Sequence, residues 1–366
     1  MKLAFFLTSG TSIELWKNRG WLEGGSAIKS YNAWAEHFEK IYFLTYGERD
    51  EIYHEYFSSK VKILPKKIKV PNWIYSFLVP FLYKKELKEC DLYVTSQMEG
   101  SWSAALSKLL FGNKFILRCG YQWALSTFDK NLKGRIAKIF APLLEALMYK
   151  ISDNIIVTSN YAKDHISLKH GVAETKISII PNPVDTSLFK PTGINKKLHS
   201  IIYVGRLERE KNPHALFEAV VGLDIKLSIF GTGSEEKELQ QFALNHNLDV
   251  IFHRNVPAAR LADEFNMHEI FVIPSLYENS PKALLEAMSS GMAVIGTDVR
   301  GIKEIIRNNE NGILCEPTPE GIRKAIIELQ KDYLKRERLG NKAREYILKY
   351  CALENKIKQD LEIFGV

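Results

Sequence analysis

Short, continuously apolar runs alternate with helix-like runs from one end of the chain to the other, and this rhythm constrains the fold most. Apolar runs without polar alternation are typical of parallel strands that helices cover on both faces. We therefore predict an α/β fold with parallel sheets, which place their ligands beyond the carboxyl ends of the strands. The predicted strands are residues 2–8, 40–45, 61–64, 91–96, 114–119, 153–159, 176–181, 200–205, 226–231, 250–253, 270–275, 293–297 and 312–316.

One stretch interrupts this rhythm near the middle of the 366 residues. Residues 181–197 (PNPVDTSLFKPTGINKK) hold three prolines and show no periodicity, and a new series of strands follows them. At roughly 150 residues a domain, a chain of this length has two or three domains. We therefore predict two doubly wound domains, residues 1–182 and 183–349, and a tail that is helical throughout from about residue 332.

The composition excludes several classes of protein. Hydrophobic residues make up 46% of the chain and charged residues 25%, a balance that is typical of globular proteins rather than disordered ones. No apolar run reaches the ~18 residues that a membrane-spanning helix needs, and the apolar run at the start is too short for a signal peptide. The four cysteines lie far apart, which predicts small core residues in a reducing cytoplasm rather than a zinc site, a redox motif or disulfide bonds.

The net charge of +7 lies entirely in the first half of the chain. Residues 1–190 hold 26 basic and 18 acidic side chains, whereas residues 191–366 hold 24 and 25. The basic excess is concentrated in residues 60–88 and 130–150, where aromatic and aliphatic side chains lie among the cations. This pattern fits either a solvated basic face or a surface that rests on anionic lipid. Nucleic acid is a weaker alternative, because no recognition motif accompanies the charge.

Residues 275–297 (SLYENSPKALLEAMSSGMAVIGT) carry the strongest local signal. Glu278 lies in the loop after a predicted strand, and Ser280 and Pro281 suit the N-cap and first position of a helix. The free N–H groups of that helix would attract an anion, and Glu286 would follow about two turns into it. For the two acids alone, a surface loop and a helical i,i+4 ion pair are the simpler explanation.

Three further segments show glycines or cations beside a predicted strand or helix. In residues 203–212 (YVGRLEREKN), the cations Arg206 and Lys211 follow a buried strand and could hold a diphosphate. Residues 229–239 (IFGTGSEEKEL) form a glycine-rich turn that lacks the third glycine of a dinucleotide fingerprint. Residues 24–27 (GGSA), near the start of the first helix, would let the backbone approach a ligand closely. Each of these signals is weak by itself.

The order of the segments is more informative than any one of them, and it resembles glycosyltransferase family 4. The resemblance is specific over about residues 177–316 and weak over residues 1–170. It implies a GT-B fold, in which two Rossmann-like domains face each other across a cleft and the second holds the sugar nucleotide. It also implies that the final helix, about residues 350–366, crosses back to the first, acceptor-side domain. The resemblance rests on PNPVD (181–185), VGRLEREKN (204–212), FGTG (230–233), E-x7-E (278–286) and SGMAVIGTD (290–298).

The resemblance implies roles for individual residues. Arg206 and Lys211 would hold the nucleotide diphosphate and neutralise it as it leaves, and Glu278 would lie near the transferred sugar, so these three are the predicted catalytic residues. Glu286 would take the ribose hydroxyls, and Gly25 would complete the phosphate site from the first domain. Backbone N–H groups of residues 279–283 would contact sugar and phosphate. The predicted donor-binding residues are Gly25, Gly205, Arg206, Lys211, Glu278, Asn279, Ser280, Pro281, Lys282, Ala283 and Glu286.

The activity that the resemblance implies is that of a retaining hexosyltransferase, which uses a nucleotide sugar and needs neither a metal nor another cofactor. The sequence is consistent with this, because it contains no Asp-x-Asp motif and no cluster of His or Cys. Together with the basic first domain, the resemblance implies a lipid-linked or membrane-associated glycan acceptor, of the cell-surface polysaccharide or lipopolysaccharide type. The basic charge of this domain also predicts peripheral contact with the anionic inner face of the cell membrane. Because no recognition motif accompanies the charge, we predict no nucleic-acid partner.

The chain departs from the family where many relatives carry a histidine near the sugar. Here the stretch reads ILRCGYQW, so Arg118 or Tyr121 would occupy that space, and neither is assigned the role of a general acid. Two other kinds of function remain open: a hydrolysing sugar-nucleotide epimerase of the same fold, and a protein that binds a sugar nucleotide without turning it over. A transferase with a soluble acceptor is a further alternative.

Overall fold

The chain forms two units, each built on its own parallel sheet. A computed structural model describes residues 1–18, 20–22, 25–120 and 132–366, with the side chains of all of these except residues 132–139. The first unit comprises Met1–Pro181 together with Ile357–Val366, and the second comprises Asn182–Lys356. Among the described residues, no helix is both long and apolar enough to cross a bilayer.

The first unit contains a sheet of seven parallel strands. They are β1 (Lys2–Phe6), β2 (Lys40–Leu44), β3 (Val61–Leu64), β4 (Leu92–Thr95), β5 (Lys114–Cys119), β6 (Asn154–Val157) and β7 (Ile177–Ile179). Their order across the sheet is β3-β2-β1-β4-β5-β6-β7. The sheet therefore grows outward in both directions from β1 and β4, which form its topological switch point.

Helices cover both faces of this sheet, because side chains of successive strand residues point alternately into two apolar cores. Phe5 and Phe43 stack 5.2 Å apart in one core, and Tyr93 and Phe115 lie in the other. The helices of this unit are α1 (Ile13–Asn18), α2 (Ser26–His37), α3 (Asn72–Leu82), α4 (Lys84–Lys88), α5 (Trp102–Phe111), α6 (Leu132–Ile151) and α7 (Asn160–His170), with 3₁₀ turns at Asp50–Tyr56 and Glu174–Lys176.

The second unit contains a sheet of six parallel strands. They are β8 (Ser200–Val204), β9 (Lys226–Phe230), β10 (Asp249–His253), β11 (Ile270–Ile273), β12 (Ala293–Thr297) and β13 (Ile313–Cys315). Their order is β10-β9-β8-β11-β12-β13, so the switch point lies between β8 and β11. The helices are α8 (Pro213–Val220), α9 (Glu236–Asn245), α10 (Ala258–Met267), α11 (Lys282–Ser289), α12 (Arg300–Lys303), α13 (Pro319–Lys331) and α14 (Tyr333–Tyr350), with a 3₁₀ turn at Arg209–Lys211. The last helix, α15 (Leu353–Phe364), begins in this unit, and its residues from Ile357 onward belong to the first unit.

The predicted α/β class with parallel, doubly wound sheets is confirmed, and a strand forms within or close to every predicted range. The predicted tail was wrong in one respect, because the helix is interrupted between α14 and α15. There the Val184 N–H donates to the Cys351 carbonyl at 2.8 Å, and the Leu353 N–H donates to the Val184 carbonyl at 2.9 Å. This strand-like pairing around Ala352 needs extended backbone that a continuous helix cannot provide.

The end of α15 is held in the first unit by packing and by a buried ion pair. Phe364 packs edge-on against Trp34 with ring centres 5.2 Å apart, and the Lys114 ammonium donates to the Ile363 carbonyl at 2.8 Å. The Arg118 guanidinium donates to the Asp360 carboxylate at 2.9 Å, and the Asp360 side chain is fully buried. Arg118 therefore has a structural partner within its own unit.

We predict that Asp360→Asn destabilises the first unit by about 3 kcal/mol, because removing one partner of a buried ion pair leaves the other charge without compensation. Urea unfolding gives the change in free energy, and hydrogen exchange of the β5 amides assigns it to this unit. Glu362→Gln, an exposed change on the same helix, is the matched control and should stay within about 0.5 kcal/mol of the wild type. Equal effects of the two substitutions would contradict the role of the ion pair.

Candidate functional site

A cavity of about 280 Å³ lies in the second unit, beyond the carboxyl ends of β8 and β11. This is the switch point of the sheet, where the loops after two neighbouring strands run in opposite directions and leave a crevice. The cavity is lined by Tyr203, Val204, Gly205, Lys211, Ile273, Ser275, Glu278, Ser280, Pro281, Lys282 and Ala283. Seven of the predicted donor-binding residues are among them: Gly205, Lys211, Glu278, Ser280, Pro281, Lys282 and Ala283.

The segment after β8 brings Lys211 to the cavity through a 3₁₀ turn that ends at Asn212. Asn212 adopts a left-handed conformation with φ 51°, which asparagine tolerates better than most residues. Its side-chain amide donates to the Pro274 carbonyl at 3.1 Å and to the Pro317 carbonyl at 3.3 Å. Asn212 thus ties the loop after β8 to the loop after β11, and it is the N-cap residue of α8, which begins at Pro213.

The glycine-rich turn after β9 supports the same segment. A Cβ at Gly231 would lie 1.9 Å from the Gly205 carbonyl oxygen, and Gly231 has φ 146°, so only glycine suits this position. The Leu207 N–H donates to the Thr232 carbonyl at 3.0 Å, and the Glu235 N–H donates to the Leu207 carbonyl at 3.0 Å. The turn therefore fixes the backbone after β8 by close contact.

Glu278 meets Lys211 at the mouth of the cavity. The Lys211 ammonium lies 2.5 Å from Oε1 of Glu278, and the Ser275 hydroxyl donates to the same oxygen at 2.8 Å. Glu278 is buried, although it lies in a loop. A buried ion pair gains stability only when further hydrogen bonds satisfy its charges, and Ser275 supplies one here.

Helix α11 presents its N-terminus to the cavity, but its cap differs from the prediction. The structure places Pro281 at the N-cap and begins the helix at Lys282, one residue later than predicted, with no side-chain cap. Proline has no N–H, so Pro281 cannot donate to sugar or phosphate, and this part of the prediction was wrong. The N–H groups of Lys282 and Ala283 lie in the first turn, where helical N–H groups lack an acceptor within the helix.

Three predicted donor-binding residues of the second unit do not line the cavity. The Arg206 side chain is 65% exposed and pairs with Glu210, one turn away, at 2.5 Å. Asn279 accepts a hydrogen bond from the Tyr277 hydroxyl at 3.0 Å. Glu286 lies further along α11. Their roles remain predictions.

Two predicted residues of the first unit, Gly25 and Arg118, have close contacts within that unit. A Cβ at Gly25 would lie 2.1 Å from the Trp21 carbonyl oxygen, so the close approach at this glycine is to the chain's own backbone. Gly25 precedes α2, which is the second helix rather than the first. Arg118 is engaged with Asp360, and Tyr121 lies outside the described residues.

Sequence reasoning missed Ser275 and Tyr203. Ser275 is 1% exposed, and Tyr203 donates from its hydroxyl to the Arg206 carbonyl at 2.8 Å. Burial, together with the nearby Glu278 carboxylate, raises the pKa of Tyr203, so its hydroxyl remains a donor. Both lie in strands or at strand ends, where the sequence shows only a buried residue. The nearest signal was the position of Ser275 at the end of a predicted strand.

Glu286, on α11 outside the cavity lining, has a raised pKa. Its side chain is partly exposed, but the surrounding protein removes most of the hydration of the carboxyl. This burial raises the pKa of Glu286 to about 7, and the nearby Lys282 ammonium opposes the rise. The native state therefore keeps a proton that the unfolded chain, with a pKa of 4.5, releases. The stability from this carboxyl falls as the pH rises from about 4.5 through 7.

The arrangement is suited to an anion that carries hydroxyl groups. Lys211 and the first turn of α11 supply positive charge and N–H donors, which is the usual environment of a bound phosphate. The Glu278 carboxylate beside them accepts hydrogen bonds from hydroxyls. Within the described residues, no group of three or more His, Cys, Asp or Glu side chains is arranged to hold a metal ion.

Solved structures with the same fold define the class. Sucrose-phosphate synthase from Thermosynechococcus elongatus matches with a TM-score of 0.80 at 18% identity, over 100% of this chain and 98% of that one. Anabaena HepE in complex with UDP matches with a TM-score of 0.76 at 16% identity, over 100% of both chains. The fold is that of the GT-B glycosyltransferases.

Family models and relatives narrow this class. The model described as Glycosyl transferases group 1 matches residues 184–346, and the model described as Glycosyltransferase Family 4 matches residues 32–188. Together the two models match residues 32–346, and they confirm the resemblance to glycosyltransferase family 4 that the motifs predict.

Three curated relatives have informative names. One component of the phosphatidylinositol N-acetylglucosaminyltransferase of Arabidopsis thaliana is 28% identical over 48% of this chain and 41% of its own length. D-inositol 3-phosphate glycosyltransferase of Paenarthrobacter aurescens is 28% identical over 49% of each. UDP-Gal:alpha-D-GlcNAc-diphosphoundecaprenol alpha-1,3-galactosyltransferase of Escherichia coli is 28% identical over 51% of this chain and 53% of its own. The chain spans about half the length of these relatives.

We predict that Glu286→Gln, which cannot ionise, removes a pH dependence of stability. Between pH 5 and 8 the free energy of unfolding of the wild type should fall relative to this variant by at most about 3 kcal/mol, since one pKa unit corresponds to about 1.36 kcal/mol. Thermal unfolding across this pH range measures the difference. Glu238→Gln, an exposed change on α9, should follow the wild type. If the Glu286 variant also runs parallel to the wild type, its carboxyl does not titrate here.

Proposed function

We propose that the protein is a retaining, metal-independent hexosyltransferase that moves a sugar from a nucleotide-sugar donor to a lipid-linked or membrane-associated glycan. The observation that carries this proposal is the cavity at the switch point of the second unit. It brings together the Lys211 ammonium, the Glu278 carboxylate and the N-terminus of α11. A sugar diphosphate has the matching groups, namely anionic phosphate and sugar hydroxyls.

Lys211 and the first turn of α11 would stabilise the leaving group. When the acceptor hydroxyl replaces the diphosphate at the anomeric carbon, the departing oxygen takes the electron pair of the broken bond. Fixed positive charge lowers the free energy of this transition state more than that of the bound donor. Arg206 would add a second cation. Its present partner, Glu210, is partly exposed, and a pair near the surface contributes at most about 1 kcal/mol, so a diphosphate can replace it.

The two glutamates would hold different parts of the donor. Glu278 lies beside Lys211 and would contact the hydroxyls of the transferred sugar, whereas Glu286 lies about one turn into α11 and would contact the ribose hydroxyls. UDP sugars are the first donors to test, because HepE was solved in complex with UDP and with UDP-glucose.

An exposed apolar face on the first unit supports a membrane-associated acceptor. On α3, Trp73, Phe77 and Phe81 recur at i, i+4 and i+8 and are 46–63% exposed. Helix α5 packs against both α3 and α6, and α5 and α6 also carry exposed apolar side chains. We call this set the apolar face: Trp73, Phe77, Phe81, Leu109, Leu110, Phe140, Leu143 and Leu147.

Lysines adjoin the apolar face, which suits a bilayer with anionic lipid. Lys67, Lys84 and Lys85 are exposed at the two ends of α3 or close to them in the chain. Aromatic side chains settle at the depth of the lipid headgroups, and each nearby Lys adds about 1 kcal/mol of attraction. The proposal therefore places the protein peripherally on the inner face of the cell membrane, on a pathway to a cell-surface polysaccharide or lipopolysaccharide.

The decisive assay measures UDP release from a panel of UDP sugars, with and without GlcNAc-diphosphoundecaprenol in vesicles. We expect release that depends on the acceptor, persists in EDTA and yields a product with the donor's anomeric configuration. Lys211→Ala should lower kcat by on the order of 10²-fold, since it removes charge stabilisation at the leaving group. Lys237→Ala, an exposed lysine on α9, should leave kcat unchanged.

Other outcomes of this assay correspond to other functions. Turnover without any acceptor indicates a hydrolysing epimerase, and binding without turnover indicates a non-catalytic protein. Turnover with D-inositol 3-phosphate but not with the lipid-linked sugar indicates a soluble acceptor. Dependence on a divalent ion contradicts the proposed role of Lys211.

We predict that the apolar face binds anionic vesicles. The protein should sediment with vesicles that contain phosphatidylglycerol, bind less to phosphatidylcholine alone and be partly released by salt. Replacing Trp73 and Phe81 together with Ser should weaken binding by on the order of 10-fold or more, because apolar area would stay in water. Leu244→Ser, at an exposed leucine on α9 of the second unit, is the control. No binding at low salt would show that this face is only solvated surface.

A further inference from the structure

The Glu278 carboxylate is held through one of its two oxygens. Oε1 accepts from the Lys211 ammonium at 2.5 Å and from the Ser275 hydroxyl at 2.8 Å. Within the described residues, Oε2 has no hydrogen-bond partner. The rotation of the carboxylate, and with it the direction in which Oε2 points, is thus set by Ser275 and Lys211.

The two donors differ in how firmly they can hold the carboxylate. Lys211 is a flexible side chain whose ammonium, under the proposed function, also serves the donor's diphosphate. Ser275 has a single rotatable bond to its hydroxyl, and its side chain is almost completely buried. When a phosphate also binds the Lys211 ammonium, the Ser275 hydroxyl still donates to the Glu278 carboxylate alone.

Ser275 is itself fixed by Thr297. The Thr297 hydroxyl donates to the Ser275 carbonyl at 2.5 Å, and Thr297 is fully buried at the end of β12. The ladder between β11 and β12 ends at Ile273 and Gly296, and Pro274 has no N–H with which to extend it. Beyond that point, the hydrogen bond from the Thr297 side chain links the two segments in place of the ladder. A β-branched residue suits this task because its χ1 is stiff.

We infer that Ser275 is the positioning residue of Glu278: its hydroxyl, fixed in turn through Thr297, holds the carboxylate so that Oε2 faces the transferred sugar. This rests on the proposed function, in which Glu278 contacts that sugar. Ser275 acts through Glu278 and does not itself touch the donor's reacting atoms.

The test is Ser275→Ala, assayed as UDP release from the UDP sugar that the wild type turns over fastest. We expect kcat to fall by on the order of 10-fold, because a hydrogen bond to a charged group is lost. The affinity for UDP, measured by calorimetry, should change less than about 3-fold, since UDP lacks the transferred sugar. Ser275→Thr, which keeps the hydroxyl, should recover most of kcat. Thr297→Val should lower kcat in the same direction but less.

A double-mutant cycle separates positioning from mere packing. In a Glu278→Gln background, Ser275→Ala should cost far less than in the wild type, because the carboxylate that it positions is gone. Ser289→Ala is the matched control: this serine is equally buried but donates to the Phe189 carbonyl at 2.6 Å, so kcat should not change. Equal losses from Ser275→Ala in both backgrounds, or an equal loss of UDP affinity, would overturn the inference.

Crystal structures with UDP give a readout that needs no turnover. Glu278 should keep its hydrogen bond to the hydroxyl in the wild type and take another rotamer in Ser275→Ala. A carboxylate that stays in place contradicts the inference, whatever the kinetics. If the rotamer changes but Glu278→Gln leaves turnover intact, the proposed role of Glu278 fails while the positioning by Ser275 stands.

Discussion

The ion pair between Lys211 and Glu278 is the contact around which the second unit is arranged. Its partners are 67 residues apart in the chain and meet because β8 and β11 are neighbours at the switch point. A buried ion pair is a weak source of stability, since desolvation offsets its attraction. Three nearby contacts nevertheless hold the pair in position: Asn212 ties the two loops together, Gly231 supports the segment before Lys211, and Thr297 anchors Ser275. So many supporting contacts around a weakly stabilising ion pair are typical of a functional site, where opposite charges are held in place for a ligand.

The sequence predicted the strands well because a parallel strand that is buried on both faces leaves a continuous apolar run. The predicted ends were less accurate. Residues 270–275 read as one strand, yet pairing stops at Ile273, because Pro274 cannot donate to the ladder. The tail was predicted as one helix because the local sequence around Ala352 does not indicate its pairing with Val184. These two residues lie near opposite ends of the second unit in the sequence. Local patterns therefore predict elements, whereas distant partners decide where the elements stop.

The site was predictable in outline but not in its contacts. Spacing and family motifs pointed to Lys211, Glu278 and the start of α11, and these surround one cavity. The motifs did not indicate that Lys211 and Arg206 each already hold a carboxylate, Glu278 and Glu210 respectively. Ser275 escaped notice because a buried serine at a strand end has no local signature of function. Its importance arises from its hydrogen bond to Oε1 of Glu278, which only the folded loop brings within reach.

The division of the chain also has a consequence for its biosynthesis. Ile357–Val366 belongs to the first unit, although the whole second unit precedes it in the sequence. A ribosome therefore synthesises Asp360 and Phe364 only after the whole second unit, and until then Arg118 cannot pair with Asp360 and Trp34 cannot pack against Phe364. Domains usually fold as units in the order in which they emerge, but this first unit cannot complete its core that way. During synthesis its nascent form leaves apolar surface uncovered near Trp34, where a molecular chaperone could bind until Phe364 has been made.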